Sequence, residues 1–154
     1  MNPLDLPVGR WDGTCAFRMM PTDEFVSATS FARSDAEADG FGWSLHYRWT
    51  HPEDGPQSGT LLVGSPDQGG VITAAWMDAW HQKPHLGVLT GSVIDRRVRV
   101  EMEYDGWGWT IEILGDEDEL RVLMSNVIPD GIVGARPGPY VVMDARWQRI
   151  TPPA

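Results

Sequence analysis

Between residues 97 and 113, charged or small polar residues alternate with apolar ones on both sides of a single Asp-Gly pair, and few folds accept that pattern. Arg97, Arg99, Glu101 and Glu103 take every second position. Burying all of these charges would cost more than the whole stability of a small domain, so their face meets water. Val98, Val100, Met102 and Tyr104 then face a core. Asp105-Gly106 is the sequence of a two-residue hairpin turn. Residues flanking such a turn pair across it and share a face. Trp107, Trp109, Ile111 and Ile113 therefore point the same way as Tyr104.

The rest of the chain repeats this grammar. Gly and Pro interrupt it at short intervals, and between the breaks apolar and polar residues alternate, as in a sandwich or barrel. Strands are expected over residues 10–20, 24–33, 42–50, 57–65, 71–80, 86–94, 97–104, 107–113, 120–128 and 139–150. Residues 35–40 are expected to make one helical turn, and residues 80–87 a loop. Long strands with short connections favour a closed, antiparallel, up-and-down barrel of about ten strands, which leaves no exposed sheet edge. A chain of 154 residues fits one such all-β domain.

Composition narrows the partners. The net charge of -10 repels phosphate backbones and anionic lipid heads, so neither nucleic acid nor a membrane surface is expected. A lone cysteine, Cys15, allows no internal disulfide. With no basic and apolar leader at the start, the expected location is the cytoplasm. Eight tryptophans are unusual for this length. Either they fill a core or they line a cavity, and inside a barrel the two surfaces coincide. The expected wall is Trp43, Tyr47, Trp49, Trp76, Tyr104, Trp107 and Trp109, and the expected partner is a small apolar or aromatic molecule. The sequence leaves its identity and the oligomeric state open.

At "GRWDG", residues 9–13, the sequence resembles the calycins, a superfamily whose first strand opens on G-x-W. That resemblance implies that Trp11 plugs the closed end under a basic residue of the last strand. "RWQRI" supplies Arg149, with Arg146 as second choice. The wider layout is similar to a bacterial family of uncharacterised calycin-like barrels, through "GRWDGTCAFRM", "AAWMDAW" and "MDARWQRI". It is more distantly similar to lipocalin, fatty-acid-binding and nitrobindin-like barrels. The last of these implies haem held by a histidine near the C-terminus, yet no histidine follows His85.

Among candidate site residues, Asp78 is in phase with Trp76 and Trp80. In one reading it faces the cavity with a raised pKa, as the acid or base of a cofactor-free isomerase or cyclase. In the other it ends its strand and accepts backbone N–H groups toward His81. Asn126, in phase with Val122 and Met124, either orients a ligand or bonds to nearby backbone. His46 reads as outward, and His51, His81 and His85 as solvated loop residues. No metal site and no cofactor are expected, and Cys15 reads as buried and inert.

Overall fold

A computed structural model describes residues 3–151. Ten antiparallel strands close into a barrel: β1 (Gly9–Phe17), β2 (Val26–Glu37), β3 (Gly42–His51), β4 (Gly55–Gly64), β5 (Ile72–Asp78), β6 (Gln82–Ile94), β7 (Arg97–Tyr104), β8 (Trp107–Gly115), β9 (Glu119–Ile128) and β10 (Gly138–Arg149). Each strand pairs with its sequence neighbours, and β1 closes the ring against β10. The only helical element among the described residues is a 3-10 turn, Ala38–Gly40. None of their helices is long and apolar enough to cross a membrane.

Alternation sets the inside. Trp43, Leu45, Tyr47 and Trp49 of β3 are buried, as are Val98 and Val100 of β7 and Trp109, Ile111 and Ile113 of β8. Trp11, Cys15 and Phe17 of β1 are buried too, but β1 stops at Phe17, so Met19 lies on the surface rather than in phase with them. β2 runs on to Glu37, and the turn expected over 35–40 shrinks to its last residues.

One end is sealed. Leu4 and Leu6 are buried, and the Pro7 carbonyl accepts the Trp43 indole N–H at 2.9 Å and the Ser34 hydroxyl at 2.8 Å. The Arg149 guanidinium lies 4.5 Å from the Trp11 ring centroid and donates to the Val8 carbonyl at 2.8 Å. The opposite end carries the β1–β2, β3–β4, β5–β6 and β7–β8 connections, with the long link from β9 to β10.

Candidate functional site

The barrel interior is packed. Trp43 and Trp76 have no solvent-exposed surface, so they fill the core rather than wall an open space. Trp76 stacks on Trp109 with centroids 5.1 Å apart, and Phe17 lies 4.2 Å from Trp49. A cleft of about 500 Å³ exists, but it lies over the outer wall of β1–β4, beside Arg10, Phe31, Arg33, His46 and Arg48.

Most indole N–H groups are satisfied by the chain itself. Trp11 donates to Ser34 Oγ at 2.9 Å and Trp147 to Ser30 Oγ at 2.9 Å, so β2 supplies hydroxyls for both. Trp43 donates to Pro7, Trp76 to Tyr47 at 3.1 Å, and Trp80 to Asp54 at 2.9 Å. Two buried indoles break this rule. Trp49 Nε1 and Trp109 Nε1 have no hydrogen-bond partner among the described residues. The other buried side-chain N or O atoms in that condition are Nδ1 and Nε2 of His81.

All four atoms belong to one cluster. The His81 ring stands 5.6 Å from Trp109 and 6.4 Å from Trp49, centroid to centroid, with Trp80 edge-on at 4.6 Å. The three residues come from β3, β8 and the β5–β6 turn. Trp80 also packs on His51 and Phe17, and so covers this end of the core.

His81 was expected in a solvated loop, and the structure corrects this. β6 begins at Gln82, and the His81 side chain is only 3% exposed. The cause is Asp78. Its Oδ1 accepts the backbone N–H of Trp80 at 2.8 Å and of His81 at 2.7 Å, folding the turn tightly back on the strand. That turn sets the imidazole against the core, with Nδ1 3.4 Å from Asp78 Oδ1. His85 is exposed, as the sequence suggested.

The turn-capping reading of Asp78 matches the geometry. It ends its strand and caps the turn, and it is also buried. Its Oδ2 takes the Tyr47 hydroxyl in a short hydrogen bond. The expected rise in its pKa is corrected. Burial pushes the carboxyl up, but the His81 imidazole, the Tyr47 hydroxyl and the His81 backbone N–H hold it below its ordinary value. The same pair pushes the Tyr47 hydroxyl well above 10.0, through burial first and then the Asp78 charge. Asp78 is thus an ionised residue that positions its neighbours, with both oxygens already bonded.

The remaining candidates form the rim at the same end. Tyr104 is 40% exposed and donates to Asn126 Oδ1, and Asn126 Nδ2 donates to the Tyr140 hydroxyl at 3.0 Å. Trp107 is half-buried beside them. Asn126 thus faces inward next to Trp109, its register partner on β8. Cys15 is buried, and burial first, then the Asp78 and Asp144 charges, push its thiol far up.

His81 and Gly59 carry geometry that the sequence reading missed. Register aligns Tyr47, Gly59 and Asp78 across β3, β4 and β5. A β-carbon on Gly59 would collide with the Tyr47 ring, so the glycine is what lets Tyr47 lie across β4 and reach Asp78. A glycine in the middle of an alternating strand was the available signal.

The residues do not fit haem. An iron bound to His81 needs a clear disc over the imidazole, and the indoles of Trp49, Trp80 and Trp109 stand there instead. Among the described residues, no three His, Cys, Asp or Glu side chains gather as metal ligands would. Compared with known proteins, the chain matches no family model and no curated sequence.

Proposed function

We propose that this protein is a calycin-like binding barrel for a small apolar or aromatic molecule, held at the end framed by Trp49, Trp80, His81 and Trp109. One observation carries the reading: the buried Trp49 Nε1, Trp109 Nε1 and His81 Nε2 lack protein hydrogen-bond partners and lie on neighbouring side chains. A buried polar group left unsatisfied costs about 1–3 kcal/mol, and native chains rarely tolerate several in one place unless something binds there. The same chain satisfies its other buried indoles, which makes the exception specific. The surrounding surface is aromatic, which suits an apolar body with one polar point.

The calycin-like architecture is supported by the ten-strand closed meander and by the Trp11–Arg149 pair at its sealed end. The rim of Tyr104, Asn126 and Tyr140 offers an entrance with hydrogen-bonding groups beside Trp109. Native mass spectrometry of the freshly purified protein tests the reading. A small molecule should accompany the folded chain and leave on denaturation. A bare polypeptide mass, together with no thermal shift from a panel of small aromatic compounds, would refute it.

A further inference from the structure

On the solvent side of the sheet, one cleft reverses the charge of the rest of the chain. The sequence holds 22 Asp and Glu against 12 Lys and Arg. The cleft of about 500 Å³ over β1–β4 is bordered by Arg10, Arg33 and Arg48, and no acidic side chain is among the described residues that line it. Register causes the crowding. Arg10 on β1 stands directly opposite Arg33 on β2, and Arg33 stands opposite His46 on β3. In the next outward row Phe31 stands opposite Arg48, whose guanidinium lies 5.3 Å over the Phe31 ring centroid.

Like charges directly opposite one another on a sheet repel, and a carboxylate between them is the simple remedy. The chain applies it elsewhere: Arg121 and Arg146 share Asp144, and Arg97 and Arg99 share Glu112. In the cleft only Arg33 is paired, to Asp35 at 2.8 Å. Arg10 and Arg48 are exposed and form no ion pair among the described residues. Asp12 is the nearest acid in register on β1, but it is opposite Phe31, which separates it from Arg48. A concave surface of one sign focuses the local field and concentrates counter-ions.

We propose that this outer cleft binds a small organic oxyanion, a carboxylate or phosphate carried on an apolar body. The anion lies among the three arginines, whose planar forks match carboxylate and phosphate oxygens, and it relieves the repulsion between Arg10 and Arg33. The body lies against Phe31 and Ile150, which are both exposed at the cleft. Ser58 and Thr60 add hydroxyls from β4, with Thr60 Oγ1 3.1 Å from His46 Nδ1. The volume suits a small molecule, whose sites run from about 300 to 1,000 Å³. A nucleic-acid polymer would meet the net charge of -10 as well as the cleft, whereas a small anion meets chiefly the local field.

The test is isothermal titration calorimetry of the intact protein at low salt with phenyl phosphate, benzoate and the neutral benzyl alcohol. At least one of the two anions should bind saturably, about tenfold or more tighter than the alcohol. Arg10→Gln and Arg48→Gln should each weaken that anion at least about threefold. Arg136→Gln removes the same charge from the link between β9 and β10, outside the cleft, and should leave binding within about twofold. Should a cleft variant fail to fold by circular dichroism, the ratio of anion to alcohol in the native protein still decides. Equal binding of anion and alcohol, an equal loss in Arg136→Gln, or no binding of either anion overturns the proposal. None of these outcomes touches the interior site, which lies on the other side of the sheet.

Discussion

At the scale of single residues, the site depends on one absent side chain. Gly59 sits on β4 between Tyr47 and Asp78, and the phenol ring of Tyr47 occupies the space that any β-carbon would need. Gly59→Ala is expected to push Tyr47 off Asp78 and to lower stability by about 1–3 kcal/mol, the usual range for overpacking. Urea denaturation checks this, and an unchanged midpoint would show that the ring has room to move. The logic extends to His81. Without the Tyr47 bond, Asp78 keeps its backbone contacts to the turn but loses a donor that fixes its Oδ2. His81 itself was illegible in the sequence, because Pro84 nearby argued for an irregular, solvated loop. The side chain of Asp78 settled the matter instead, by turning the chain within three residues and bringing the imidazole inside. Spacing in the sequence reports phase along a strand, but not which way a turn side chain falls.

At the scale of elements, the β7–β8 hairpin was the most legible part of the chain. The limits of β7, the turn and the inward face follow from alternation plus one Asp-Gly pair, and β8 runs two residues past the expected Ile113 to Gly115. Asp105 and Gly106 both adopt positive φ, 48° and 82°, as a type I′ turn requires. Gly106→Ala is therefore expected to destabilise by about 1 kcal/mol. A thermal melt unchanged from the native protein would mean that the turn relaxes to another type. Tyr104, at the turn, shares the inward face yet reaches the rim, because parity fixes direction and not depth. Where ladders are irregular, the sequence was silent. β10 shifts register between Val141 and Met143, so that Tyr140 and Met143 can pair with Asn126 and Met124 on one face. Between β5 and β6, Trp76 pairs with Gly87 and Asp78 with Gln82. The extra residues of β6 in that gap form a bulge, and it accommodates Pro84 inside what read as a loop. Both irregularities are set by partners distant in sequence, and no local pattern announces them.

At the scale of the whole molecule, a buried carboxylate and a buried phenol hydroxyl link the barrel to pH from both sides. Asp78 has a folded pKa below its ordinary value of 3.8, so its contribution is fully present above 3.8 and is lost as pH falls through the lower folded value. Tyr47 has a folded pKa well above 10.0, so its contribution is fully present below 10.0 and is lost as pH rises beyond it. The two limits bracket a plateau across neutral pH. Asp116 and Asp144, also held low, steepen the acid side, though their exposure to solvent keeps that effect small. Tyr104, raised by burial but open to solvent, adds weakly to the alkaline side. The main alkaline loss therefore belongs to Tyr47, which packs across Gly59 in the middle of the sheet and cannot ionise without placing a second negative charge beside Asp78. Urea midpoints measured from pH 3 to pH 11 should be level in the centre and fall at both ends. Tyr47→Phe should lower the stability at neutral pH by about 1–3 kcal/mol, read as a lower urea midpoint, since Asp78 loses a donor. The variant should also fall less than the native protein above pH 10, because the group that ionises there is gone. A native profile that stays level above pH 10 would contradict the Tyr47–Asp78 bond, and with it the account of what holds Asp78 and His81 in place.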